Sequence, residues 1–288
     1  MKKNVSNLNI AFFGSPQFAV DVLDSLKKNG IIPNLVVTQP DKPAGRKLLL
    51  TPPEAKVWAE ENGTSVFQPE TLKDEEIVQA LTDEGPWDIF IVAAYGKIIP
   101  RAVLDIPKHG TLNVHPSLLP KLRGASPLQS AILGENKTGV SIMLLDEKMD
   151  HGPILAQEKT LVDIWPPKAS ELEKTTGIQG GNMLAEIIPQ WVAGEIKPQE
   201  QDHSAATFTQ KITKQDGLIN LNDDPEKNFR KIQAFDIWPR TYFFTKKNSK
   251  EIRIVVTEAE FTDGKLIIKK VIPEGKKEMD YEIFLKSC

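Results

Sequence analysis

The sequence has a single cysteine, Cys288, so no intrachain disulfide can form and a reducing compartment is compatible with the chain. Histidine is also scarce, with four in 288 residues. There is no H-E-x-x-H and no C-x-x-C, so no metal site is expected. The apolar run Ile89-Phe90-Ile91-Val92-Ala93-Ala94 is far too short to span a membrane. Met1-Lys2-Lys3 is followed by Asn, Val and Ser rather than by an apolar core. No secretion signal is read there, and a cytoplasmic protein is expected. The dinucleotide fingerprint G-x-G-x-x-G is missing as well. The first turn reads Gly14-Ser15-Pro16-Gln17-Phe18, which argues against NAD or FAD. Neither charge sign dominates: the net is −3. Residues 205–288 hold 16 Lys and Arg against 13 Asp and Glu, a mildly basic stretch that permits an anionic partner.

What is present centres on Thr111-Leu112-Asn113-Val114-His115-Pro116-Ser117-Leu118-Leu119-Pro120. It reads as a short strand ending in a Pro-flanked turn. Residues two apart on a strand share a face, so Asn113 and His115 project together while Leu112 and Val114 face the other way. An amide can donate to a developing oxyanion, and an imidazole can carry a proton or a charge near neutral pH. Further on, Asp150 follows the apolar strand Gly139 to Leu145. A lone Asn or His is more often a satisfied structural group. Asn113, His115 and Asp150 arriving together from two strand ends shift the reading to catalysis. His109, His151 and His203 read as surface residues, with His151 a candidate neighbour of Asp150. The five tryptophans read as packing.

The order of elements supports an α/β fold. Leu8 to Gly14 reads as a buried strand, Ser15-Pro16 as a helix start, Phe18, Val22 and Leu26 as one helical face, and Leu35 to Thr38 as the next strand. This βαβ unit predicts a parallel sheet, and strand–helix alternation continues to about residue 195. Ligands in such sheets bind beyond the carboxyl ends of the strands, where Asn113, His115 and Asp150 sit. A helix is expected over much of Ala169 to Ala193, with Gly180-Gly181 and Pro189 as interruptions. Pro198 to Ser204 is polar and reads as a linker, and short strands follow after Asn228 to Ala234. The expected domains are 1–197, a linker at 198–207, and a small β domain at 208–288.

Several motifs together are similar to one family. They are Gly14-Ser15-Pro16-Gln17-Phe18-Ala19, Thr38 to Arg46, Ala93-Ala94-Tyr95-Gly96, Asn113 to Pro120, Arg123 to Pro127, Met149-Asp150-His151-Gly152, Lys211 to Gly217 and Ala234 to Pro239. The chain resembles the methionyl-tRNA formyltransferases, within the folate-dependent formyltransferases. The resemblance implies a Rossmann-like catalytic domain with a C-terminal OB-like barrel. It implies 10-formyltetrahydrofolate as the donor and the α-amino group of methionyl-initiator-tRNA as the acceptor. It places Asn113, His115 and Asp150 in catalysis. It sets Ser117, Leu118, Leu119, Pro120, Tyr95, Gly96 and Ile98 along the folate, and Arg46 and Lys47 in a loop that reaches the tRNA. A monomer is the simplest expectation. The N-x-H-P-S-L-L-P stretch is shared across the wider group, so two alternatives stay open: a formyltransferase for a small amine, and a non-catalytic tRNA- or folate-binding relative. After Arg46-Lys47 this chain has Leu48-Leu49-Leu50 where the family carries more cations. The chain is also shorter after Trp238-Pro239, so the barrel is expected in a reduced form.

Overall fold

A computed structural model describes residues 8–45, 48–247 and 250–286. The chain forms two compact units. The first gathers residues up to 125 with 139–160 and 173–208. The second gathers 126–138 and 161–172 with the chain from Thr209 onward.

The first unit is built on a seven-stranded sheet. Its strands are β1 (Ile10–Gly14), β2 (Leu35–Val37), β3 (Ser65–Phe67), β4 (Ile89–Ala93), β5 (Thr111–His115), β6 (Gly139–Leu144) and β7 (Ile154–Lys159). The spatial order is β7-β6-β5-β4-β1-β2-β3. β3, β2, β1, β4 and β5 run parallel, as the opening βαβ pattern predicts, and β6 and β7 are antiparallel additions. The strand order reverses between β1 and β4, which opens a crevice at their carboxyl ends. β1, β4 and β5 are buried throughout, as expected for strands covered on both faces. Alternation still sorts the side chains. Phe12, Ile91 and Val114 enter one core with Val22 and Leu26, whereas Phe13, Phe90 and Val92 enter the other with Val37 and Trp87.

Two local expectations change. Helix α1 (Gln17–Lys28) starts one residue later than the sequence suggested, and Ser15 does not cap it. The Ser15 hydroxyl instead accepts from Thr38 Oγ1 and the Gln39 amide, both at 3.1 Å, tying the end of β1 to the end of β2. The helix Ala169–Val192 is not interrupted at its glycines. A Cβ at Gly180 would lie 2.3 Å from Val114 Cγ1, so this glycine lets the helix lie against the back of β5. Tertiary contact outweighs the roughly 1 kcal/mol helical penalty of glycine.

The second unit carries the antiparallel meander β8 (Tyr242–Lys247), β9 (Lys250–Thr262), β10 (Lys265–Pro273) and β11 (Met279–Asp280). This is the small C-terminal β domain. Asp263 and Gly264 both have positive φ, 53° and 73°, and form the two-residue turn between β9 and β10. The helix Pro225–Ala234 packs on this sheet through Ile232. Asp224 caps the helix by accepting from the Glu226 and Lys227 amides. Arg230 reaches back to the helix Pro127–Gly134, donating to the carbonyls of Ile132 and Glu135 at 3.0 and 2.8 Å.

Candidate active site

β5 sets Asn113 opposite Val92 of β4 and Met143 of β6, and His115 opposite Ser141. Both polar side chains are buried, on the face away from Leu112 and Val114. Among the described residues the Asn113 side-chain amide has no hydrogen-bond partner. It is a donor held on a rigid strand and not engaged by the protein's own described acceptors. His115 differs. Its Nε2 lies 3.0 Å from the Leu122 carbonyl, which can only accept, so Nε2 carries a proton. Its Nδ1 faces Asp150 Oδ1 at 3.7 Å. In the imidazolium form both ring N–H groups meet acceptors.

Asp150 sits in the loop after β6. Its Oδ2 accepts from the Gly124 amide at 2.7 Å. The loop is compact: the Leu144 amide donates to the Pro153 carbonyl, and a Cβ at Gly152 would meet Leu144 O at 2.1 Å. That contact explains the glycine two residues after Asp150. Left-handed backbone gathers around the site, at Asp150 (φ 47°), Leu122 (φ 60°) and Ala94 (φ 51°). Such conformations in non-glycine residues cost about 1–3 kcal/mol each and persist where the surroundings over-determine them.

The surroundings here include residues that sequence reasoning missed. Gln201 is buried, and its Nε2 donates to the carbonyls of Asp150 (3.0 Å) and Gly152 (2.7 Å). Its Oε1 accepts from Arg123 Nη2 at 2.6 Å. Gln201 lies in the polar 198–207 stretch, where no periodicity marks it. The neighbouring Gln199 pairs by backbone with Ile154. Arg123 Nη2 also donates to His203 Nδ1 at 3.0 Å. His203 stacks on His151 with centroids 4.0 Å apart, and His151 Nδ1 lies 2.6 Å from Asp146 Oδ2. The two histidines read as surface groups are therefore part of a connected arrangement beside Asp150.

The remaining expected site residues divide into two turns. Ser117 is fully buried and spends its side chain internally, its hydroxyl donating to the Lys121 carbonyl at 2.7 Å. Ser141 Oγ donates to Ser117 O and accepts from the Leu119 amide, and Gln157 Nε2 donates to Leu119 O. Leu119 is buried, while Leu118 and Pro120 are half-buried. The turn presents its shape rather than free polar groups. In the second turn the Tyr95 ring points into the core, edge-on to Phe13 at 5.6 Å, and its hydroxyl has no partner there. Burial pushes this phenol up to about 12. Gly96 has φ 76°, and Ile98 is 77% exposed. Gln39 donates to the Tyr95 carbonyl at 2.8 Å, joining this turn to the base of the 39–53 loop. That base is fixed further by Asp41, which accepts from Gln68 and pairs with Lys56 at 2.9 Å. The two bonds hold the Asp41 carboxyl below its usual range, Gln68 contributing most. Arg46 and Lys47 lie outside the described residues; Leu48, Leu49 and Leu50 beside them are exposed.

The family model for formyl transferase matches residues 8–188, and that for the formyl transferase C-terminal domain matches residues 211–262. The chain belongs to the formyl transferase family. A methionyl-tRNA formyltransferase of Chloroflexus aggregans is 46% identical over 266 residues, covering 90% of this chain and 85% of that protein. One from Thermus thermophilus is 40% identical, covering 93% of this chain and 86% of its own length. Among solved structures, methionyl-tRNA formyltransferase from Clostridium thermocellum matches with TM-score 0.59 and 19% identity, over 95% of this chain and 99% of that one. A sugar N-formyltransferase from a Shewanella species matches with TM-score 0.64 and 16% identity, over 89% of this chain and 99% of that one. At these identities the two structures share the fold. Among the described residues no helix is long and apolar enough to cross a membrane. Among those residues, too, no His, Cys, Asp and Glu group is arranged to hold a metal.

Proposed function

We propose that this chain transfers the formyl group of 10-formyltetrahydrofolate to the α-amino group of methionyl-initiator-tRNA, for translation initiation. The observation that carries the chemistry is the convergence of Asn113 and His115, on β5, with Asp150, which the loop after the antiparallel β6 brings to 3.7 Å from His115. The acceptor follows from the 46% identical relative, named for methionyl-tRNA. The formyl oxygen is a hydrogen-bond acceptor, and the unpartnered Asn113 amide fits it.

The donor supplies an activated formyl carbon. Asn113 donates to the formyl oxygen as negative charge develops there, while the amine nitrogen forms its bond to carbon. His115 in its imidazolium form adds positive charge to the same region, and Asp150 orients its ring. Asp150, directly or through a water, takes the proton that the amine loses on attack. Breakage of the old C–N bond leaves the bonding pair on the folate nitrogen, which takes up the proton that Asp150 received, directly or through the same water, and Asp150 ends as the carboxylate. The turns at 95–98 and 117–120 flank the folate. Their hydrogen bonds set backbone shape, and the exposed Ile98 supplies apolar surface. Arg46 and Lys47 contact the tRNA. The protein acts as a cytoplasmic monomer.

The test is formyl transfer from 10-formyltetrahydrofolate to methionyl-initiator-tRNA by the native protein, with Asn113→Ala and His115→Ala alongside. Rapid transfer, lost in both variants, is expected. A folded, folate-binding native protein that formylates no methionyl-tRNA overturns the reading and directs the assay to small amines.

A further inference from the structure

Asp150 needs more support than its own loop supplies. Its backbone is left-handed, its carboxylate must serve both His115 and the Gly124 amide, and its carbonyl draws its donor from another segment. That carbonyl and the carbonyl of Gly152 are met by one group, the Gln201 side-chain NH2. Both amide protons are thus used on the two carbonyls that flank the turn. The orientation of the amide is fixed by its partners: turned over, its oxygen would face two other oxygens, and its NH2 would face Arg123. Arg123 is 3% exposed, and no described carboxylate pairs with it within ion-pair distance. Its Nη2 is divided between Gln201 Oε1 and His203 Nδ1, and its Nε is buried without a partner. A buried cation arranged around neutral acceptors is costly to maintain, which is unusual for a residue that only packs.

We infer that Gln201, anchored by Arg123, is a positioning residue that holds Asp150 in the left-handed conformation needed for proton transfer. It is not a catalytic residue, since it touches only backbone and Arg123. The role rests on the function proposed above. It also accounts for the 198–207 segment, a stretch remote in sequence from the reacting atoms that is hydrogen-bonded to the Asp150 loop through Gln201.

The discriminating substitution is Gln201→Glu. It keeps the size of the side chain and its acceptor for Arg123, now as an ion pair. It replaces the two N–H donors by an oxygen facing two carbonyls. A residue that only anchors Arg123 would tolerate this change. A residue that positions Asp150 would not. Expected are a kcat lowered by about tenfold to a hundredfold, KM values for both substrates within about twofold of native, and faster amide hydrogen exchange across residues 146–153. The thermal midpoint should fall by a few degrees, since two buried carbonyls lose their donor, while the protein stays folded at assay temperature. Gln201→Asn retains the chemistry but is one methylene too short to reach both carbonyls. It carries the same comparison if the glutamate variant does not fold. Native kcat together with native exchange at 146–153 in a folded variant overturns the proposal. If the native protein fails to formylate methionyl-tRNA, the functional reading falls and the exchange comparison alone decides: faster exchange supports the positioning role, and unchanged exchange refutes it.

Discussion

Replacing Asn113 by alanine removes an amide that no described residue hydrogen-bonds. The folded protein loses no internal hydrogen bond, and the strand around the site keeps its pairing with β4 and β6. Stability should therefore change by no more than about 1 kcal/mol. The reaction, by contrast, loses an oxyanion donor on a rigid scaffold, worth about 2.7–4 kcal/mol of barrier, or roughly a hundredfold to a thousandfold in kcat. His115→Ala should behave differently. It strands the Leu122 carbonyl and leaves Asp150 without its imidazole, so about 1–3 kcal/mol of stability should go with the activity. Asn113→Asp sharpens the contrast, because it is nearly isosteric but sets a carboxylate where negative charge must develop. It should be less active than the alanine variant. The measurements are single-turnover formyl transfer and urea unfolding on the same preparations. An Asn113→Ala protein that retains more than about a tenth of native kcat, or an active Asn113→Asp protein, would refute the oxyanion role.

Tyr95→Phe removes a buried hydroxyl that has no partner, so it should stabilise the protein by about 1 kcal/mol. The native phenol is pushed up to about 12 when folded, so its contribution is fully present below pH 10 and is lost as pH rises toward 12. The variant should lack that alkaline decline in urea unfolding, with its folate KM unchanged. Gly152→Ala forces a Cβ to within 2.1 Å of Leu144 O, and should cost about 1–3 kcal/mol in urea unfolding and lower formyl transfer by displacing Asp150. Arg230→Met leaves the Ile132 and Glu135 carbonyls without their donor, and should lower stability by about 2 kcal/mol in the same assay with folate binding intact.

The parallel sheet was legible because β1, β4 and β5 are short apolar runs separated by helical periodicity and turn residues. Asn113 and His115 were legible for a simpler reason: strand geometry puts alternate residues on one face whatever the rest of the fold does. Gln201 was not. It is one glutamine in a polar stretch, and its partners lie 78 residues away at Arg123 and 51 at Asp150. No local pattern encodes contacts at that separation. The glycines of the long helix misled in the opposite sense, since their propensity was readable but the closeness of Val114 was not. The Asp263-Gly264 turn was a local signal that a two-residue hairpin search would have found.

The bond between Arg230 and the Ile132 carbonyl spans 98 residues. Leu128 and Ile132 share a buried cluster with Ala169, Leu172, Ala234 and Phe235, so their cover is complete only when the last of these segments exists. At translation speeds of about 5–20 residues per second, the helix Pro127–Gly134 leaves the ribosome some 5–20 seconds before its partner. During that interval a sticky surface stands open on a nascent chain. A fragment beginning at Thr209 would face the converse problem, being released without the helix that Arg230 caps. The second unit is thus a late assembly, closed only when synthesis nears its end, and truncation from either side should yield material that aggregates.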